Sequence, residues 1–251
     1  MYMKLFKKLY GVNPIGLVHV GAHLAEEHQE YENSGMLRNG KCLWIEPQPD
    51  KVAQLRRMFE KSTKHEVIEA LVWSESNLDL TLRITNHSAS SSVFQMNEHR
   101  KHYPQIEVSR VLKMKTSRLQ DILPRDLKFD FLILDVQGAE LEVIRGLGNR
   151  IREVNWIYTE VSKVNLYRGG VLFSEINRFL ESQGFRKKFI EWDRRAGWGD
   201  ALFVRNEIWT NSLWLEFQRF FHWIYRRIYG RIPQVLFPTL VLLKSKVFRW
   251  R

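Results

Sequence analysis

Residues 131–147 read FLILDVQGAELEVIRGL, an apolar run closed by Asp135, a glycine at 138 and an acid at Glu140. Four apolar residues in succession suit a parallel strand buried on both faces, and an acid at its carboxyl end lies where α/β sheets bind ligands. There Asp135 could take a proton or orient a reacting group; alternatively it caps the following helix. A second acid, Glu160, closes the next strand-like run, VNWIYTEV. On adjacent parallel strands the two carboxylates would converge on one site. Such a pair could also hold Mg²⁺, which prefers oxygen ligands, although no dedicated ligand motif is present and a metal is not part of the reading.

The first apolar run ends in VHVGAH, placing Gly21 on a turn into a helix that carries Glu26 and Glu27 near its start. A phosphate binder needs more glycines than this and no acids beside the helix entrance. A cofactor without phosphate and with a positive centre, S-adenosylmethionine, fits one glycine and nearby carboxylates. The second run ends in WIEPQP, so Glu46 stands where an acid can accept hydrogen bonds from ribose hydroxyls. Its alternative is an acid capping the helix that follows. His23, beside Gly21, reads equally as a cofactor contact or a local hydrogen-bonding group.

Between 86 and 104 a polar loop holds His87, four serines from Ser88 to Ser92, and His99 and His102. As a cleft lid it offers hydroxyls and imidazoles to a carbohydrate, with His87 as a rival base to Asp135. As a solvated loop it needs no such role. His99 and His102 have metal-like spacing but no matching cluster, and read as surface.

These residues need a scaffold. Strands are predicted at about 16–20, 42–46, 66–72, 129–135 and 154–161, with helices over 24–35, 50–61, 138–147 and 173–183. FRKKFIEW and GDALFVRN predict a closing antiparallel pair, and 78–84 with 107–116 an inserted hairpin. At 251 residues the chain suits one α/β domain, 14–206, between a short amphipathic helix in 1–13 and a tail, 207–251. The single cysteine, Cys42, excludes an intrachain disulfide; with no cleavable leader pattern at the N-terminus, a cytoplasmic location is expected.

Charge is concentrated at one end. Of 39 basic and 28 acidic residues, the segment 213–251 holds eight and one, leaving 31 and 27 elsewhere. That segment alternates aromatics with arginines, and its apolar run from Val235 to Leu243 is too short to span a bilayer. The composition predicts docking on an anionic membrane surface, the inner face in a cytoplasmic protein; packing on the core or another subunit is the alternative.

VHVGAH, LWIEPQP, SASSSVF, FDFLILDVQGAELEVIRG, YTEVS and GDALFV together resemble the FkbM family of S-adenosylmethionine-dependent methyltransferases over roughly residues 14–206. The resemblance implies a class I methyltransferase (Rossmann-like) fold: a seven-stranded, mostly parallel sheet covered by helices, its last strand antiparallel. It also implies O-methylation of a saccharide-containing acceptor, with Gly21 and Glu46 at the cofactor and Asp135 between cofactor and acceptor. DVQG replaces the Pro-Pro-aromatic run of base amino-methylation, and Cys42 lies far from the position a C5-pyrimidine nucleophile needs. RNA ribose methylation, drawing on Asp135, Lys163 and Glu160, stays open, although the nearly balanced charge of the core argues against nucleic acid. A membrane-associated scaffold that retains the fold without catalysis is the other alternative.

Overall fold

The computed structural model describes residues 3–38, 40–97, 103, 105–193 and 197–208. Its strands are β1 (Leu17–Val20), β2 (Cys42–Glu46), β3 (His65–Glu69), β4 (Leu71–Val72), β5 (Asp79–Thr85), β6 (Gln95–Met96), β7 (Val108–Ser117), β8 (Phe131–Leu134), β9 (Trp156–Ser162), β10 (Tyr167–Arg168), β11 (Phe185–Trp192) and β12 (Trp198–Arg205). The helices are α1 (Met3–Tyr10), α2 (His28–Asn33), α3 (Pro49–Met58), α4 (Leu119–Ile122), α5 (Glu140–Gly146) and α6 (Phe173–Ser182). Seven strands form the central sheet in the order β11-β12-β9-β8-β1-β2-β3. All neighbours are parallel except β12, which runs against both β9 and β11. This is the class I methyltransferase sheet.

The order decides where a ligand can sit. From β1 the chain winds outward through β2 to β3 and then returns to place β8 on the other side of β1. A crevice opens at such a reversal, at the carboxyl ends of the strands. Gly21 follows β1 and Asp135 follows β8, so the reversal brings both to its rim.

The strands lack polar/apolar alternation because each face is covered. One face packs Val18, Val20, Leu43, Ile45, Leu132, Leu134 and Ile157 against Val143 and Ile144 of α5 and Ile176 and Leu180 of α6. The other packs Leu17, Trp44, Phe131, Ile133, Tyr158 and Leu202 against Met3 and Phe6 of α1, Tyr31 of α2 and Leu55 of α3. The N-terminal helix is thus part of the core: the Phe6 ring meets Tyr158 at 5.2 Å and Phe189 at 5.4 Å.

Two elements differ from expectation. The helix predicted over 24–35 is confined to His28–Asn33, because His23 (φ 43°) and Ala25 (φ 54°) adopt left-handed backbone that no helix accommodates. Glu26 therefore lies in a loop and Glu27 at the N-cap, instead of both occupying a first helical turn. The run predicted as one strand over 66–72 bends at Ala70: β3 belongs to the central sheet, whereas β4 joins β7 and β5 in a separate three-stranded sheet. The β5–β7 hairpin forms as predicted. His99, His102 and the segment 213–251 lie outside the described residues. Among the described residues no helix is long and apolar enough to cross a membrane.

Candidate active site

Gly21 fits its position for a reason internal to the backbone. It has φ 85°, and a Cβ built on it would stand 1.8 Å from the carbonyl oxygen of Asp135. Its N–H donates to the Ile45 carbonyl at 2.9 Å, while the Asp135 N–H donates to the Val20 carbonyl at 3.0 Å. The glycine lets the ends of β1 and β8 close on each other, a packing requirement independent of ligand clearance.

Glu46 is buried at the end of β2, with both oxygens engaged. Oε2 accepts the His23 N–H at 2.9 Å and Oε1 accepts the Gln48 N–H at 3.0 Å. The N-cap of α3 is Gln48, so Glu46 does not cap that helix; it ties the turn after β1 to the turn after β2. Burial raises its pKa to about 7 against the opposing pull of these hydrogen bonds. The His23 imidazole pairs with Glu26, its Nδ1 2.7 Å from Glu26 Oε1.

The Asp135 side chain is exposed on the crevice wall. It does not cap α5, whose N-cap is Ala139. Gln137 Nε2 donates to Asp135 Oδ1 at 2.7 Å and to Glu160 Oε2 at 3.0 Å, and Gln137 Oε1 accepts from the Tyr167 hydroxyl at 2.6 Å. The two carboxylates thus meet at one amide, whose orientation follows from its three partners. Gln137 holds left-handed backbone (φ 53°), and its carbonyl accepts from Ser92 Oγ at 2.7 Å. One serine of the polar loop therefore fastens the loop to the turn after β8.

Asp200 joins the group through sheet register. It stands directly opposite Glu160 on β12. Like charges facing each other across an antiparallel pair are destabilising, and Asp200 is among the groups that raise the Glu160 pKa. Desolvation, then repulsion by Asp135, raises Glu160 far above the carboxylate range and Asp200 to about 6, against a hydrogen bond to Asp200 from Tyr158. Glu140, buried behind the turn, rises to about 7 through desolvation, opposed by the Gly138 N–H it accepts. Asp135 opens onto the cavities but is enclosed by their walls, and the resulting desolvation raises its pKa, with Gln137 pulling the other way.

Two cavities meet at these residues. The smaller, about 240 Å³, is lined by Gly21, His23, Glu46, Gln48 and the apolar side chains of Leu71, Val72, Leu82 and Val93. The larger, about 780 Å³, is lined by His19, Asn86, His87, Tyr103, Gln105, Tyr158, Glu160, Trp198 and Asp200 among others. Glu27, Ala89, Asp135 and Gln137 line both. The structure thus brings Gly21, His23 and Glu46 to one cavity and Glu160 and His87 to the other, with Asp135 between. Lys163 lines neither; its ammonium lies 4.2 Å from the centre of the Trp192 ring. Among the described residues no group of three or more His, Cys, Asp or Glu is arranged to hold a metal ion.

The smaller cavity suits an adenosyl group in kind: apolar walls for a base, and a buried acid at the end of β2 for vicinal hydroxyls. Alone it is below the roughly 300–1,000 Å³ of a typical small-molecule site, so a bound cofactor would extend to the boundary residues shared with the larger cavity.

The sequence model of the methyltransferase FkbM domain matches residues 19–187. The chain belongs to the FkbM methyltransferase family. A curated relative, 2-O-methyltransferase NoeI of Sinorhizobium fredii, is 27% identical over 147 residues, 55% of this chain and 60% of that protein. The crystal structure of a methyltransferase FkbM from Methylobacillus flagellatus KT is 13% identical with a TM-score of 0.47, covering 75% of this chain and 43% of that one. TrmK of M. capricolum, solved with S-adenosylhomocysteine, is 8% identical with a TM-score of 0.45, covering 94% and 90%. The matches to the first two relatives span less than two thirds of their lengths.

Sequence reasoning placed the acids but missed the residues that organise them: Gln137, Tyr167 and Asp200. Asp200 lies within the predicted closing pair, and only the register of that pair puts it opposite Glu160.

Proposed function

We propose that the protein methylates a hydroxyl of a saccharide, binding S-adenosylmethionine through Gly21, His23 and Glu46 and the acceptor in the larger cavity. The observation that carries this reading is the place of Asp135 in the wall of both cavities, where methyl donor and hydroxyl would face one another. When bound, the cofactor supplies an electrophilic methyl group on a sulfonium. The protein must align the attacking oxygen and take its proton as charge develops. Asp135 serves as base or orienting group, held by Gln137; Glu160, on the same amide, has its charged form strongly disfavoured and suits a hydrogen-bonding role toward the acceptor. His87 lines the acceptor side and is the second candidate base.

Amides, hydroxyls, imidazoles and aromatic rings on the larger cavity, with neither Lys nor Arg among its described lining residues, favour an uncharged polyol over a phosphate-bearing chain. The same observation weighs against RNA. The relative's designation as a 2-O-methyltransferase supports oxygen as the acceptor atom. The basic, aromatic segment 213–251 would hold the enzyme at an anionic membrane surface, near a lipid-linked glycan; equal liposome flotation of the full chain and a chain ending at Asn206 would remove that part.

Two measurements test the whole. Calorimetry should show S-adenosylmethionine binding, and surface glycan from cells lacking the gene should gain one methyl increment by mass spectrometry when treated with enzyme and cofactor. No binding would defeat the enzymatic reading; binding without glycan methylation, together with steep salt-dependent RNA binding, would favour RNA.

A further inference from the structure

The larger cavity reaches below the strand ends, to a histidine in the middle of β1. His19 pairs in register with Ile133 on β8, and Ile133 with Tyr158 on β9. Side chains two residues apart share a face of a sheet, so this row lies on the face of Asp135 and Glu160, about 6–7 Å below them. All three residues of the row line the larger cavity.

His19 is 2% exposed, and a buried polar group normally finds partners on each of its polar atoms. Among the described residues only one of its nitrogens does. Nδ1 lies 3.0 Å from the Tyr31 hydroxyl, and the ring packs on Trp44 with centroids 5.0 Å apart. Among the described residues Nε2 has no hydrogen-bond partner, on a side chain that forms cavity wall. Desolvation lowers the imidazole pKa to about 3, so the ring is neutral and offers one donor or acceptor to an uncharged group. Ile133 and Tyr158 beside it give an apolar floor that suits the C–H face of a sugar ring.

We infer that His19 is an acceptor-binding residue, its Nε2 hydrogen-bonding a second hydroxyl of the saccharide deeper in the cavity than the oxygen that is methylated. The inference rests on the larger cavity being the acceptor side. It makes the acceptor a polyol inserted edge-on, with one hydroxyl at Asp135 and another roughly one sugar ring away at His19. A ligand with a single hydroxyl would leave Nε2 unsatisfied.

The probe is the unmethylated surface glycan from cells lacking the gene. With it, His19→Gln and His19→Phe should raise KM about tenfold, the worth of one neutral hydrogen bond, while S-adenosylhomocysteine affinity stays within about twofold. Tyr31→Phe removes the bond on the other side of the ring and should leave KM within about threefold. Unchanged KM in both His19 variants would overturn the inference and leave the proposed function standing; no glycan methylation by wild type would remove both. If neither His19 variant folds, wild-type enzyme decides. Diethyl pyrocarbonate acylates neutral imidazole: the nitrogen bonds to a carbonyl carbon, ethyl carbonate leaves and decomposes to ethanol and CO₂, and the ring proton goes to solvent. Peptide mass spectrometry should find His19 carbethoxylated in the enzyme saturated with S-adenosylhomocysteine, and protected once glycan is added. No labelling, or equal labelling with and without glycan, would overturn the inference.

Discussion

Asp135 and Glu160 accept hydrogen bonds from the same nitrogen, Gln137 Nε2, at 2.7 and 3.0 Å. A neutral double donor holds two carboxyl groups on one wall without supplying a counter-charge that would quench a base. Gln137→Leu should lower kcat about 10- to 100-fold, within what positioned proton transfer contributes, and leave cofactor affinity nearly unchanged. Because the lost N–H groups favour the ionised forms, the acid limb of the kcat profile should move to higher pH. Tyr167→Phe keeps both N–H donors and should lower kcat less, with the limb in place. A Gln137→Leu enzyme with a wild-type pH profile would refute the assignment.

Replacing Asp135 tests the base itself. Asp135→Asn should reduce methyl transfer by at least about 100-fold without lowering the thermal midpoint, since the side chain is exposed on the cavity wall. The substitution also removes a charge that raises Glu160, Asp200 and Glu140. Carboxyl ¹³C NMR titration should therefore find Asp200 and Glu140 ionising below their wild-type values of about 6 and 7. Near-normal turnover would transfer the role to His87, and His87→Ala would then carry the loss.

Gly21 separates a packing role from a binding one. A methyl group there would meet the Asp135 carbonyl at 1.8 Å while the backbone holds φ 85°. Overpacking against main chain and left-handed strain together should make Gly21→Ala about 3–5 kcal/mol less stable in urea titration. Gly11→Ala is the control: Gly11 has φ 65° and nothing within 4 Å of the added carbon, so the cost should be about 1 kcal/mol. Equal losses at the two positions would show that backbone conformation alone matters at Gly21.

The strands were legible because parallel strands buried on both faces appear as unbroken apolar runs, as in LVHV, CLWIE and FLIL. The turn from 21 to 27 was not, because left-handed backbone at His23 and Ala25 has no residue-type signature; both are acceptable helix residues. Asp135 and Glu46 could be found as acids at strand ends, and Glu160 as the acid expected to close the next strand, although β9 continues past it to Ser162. Gln137 could not, since an amide has no proton chemistry of its own and its partners Glu160 and Tyr167 lie 23 and 30 residues along the chain. His19 was hidden in the opposite way: a single histidine inside an apolar strand reads as core until a cavity is seen to reach it.

Glu46 gives the last prediction, and its sign is unusual for a carboxylate. Its pKa rises from 4.5 to about 7 on folding, so between these values the folded protein binds more protons than the unfolded chain. Stability then falls as pH rises through that window: the penalty is absent below the unfolded value and complete above the folded one. Glu46→Gln cannot ionise and escapes the penalty. It carries a fixed cost at all pH values, since the amide nitrogen cannot accept one of the two backbone N–H groups that Glu46 serves. The stability of Glu46→Gln minus that of wild type should therefore shift in the variant's favour between pH 4.5 and 8, by up to about 3 kcal/mol for a shift of this size. Urea titrations across that range check it, and a difference independent of pH would show that Glu46 ionises normally. Calorimetry on the same proteins separates folding from function: if Glu46 accepts from ribose hydroxyls, Glu46→Gln should bind S-adenosylhomocysteine about 10- to 100-fold more weakly at pH 8, the worth of hydrogen bonds to a charged acceptor.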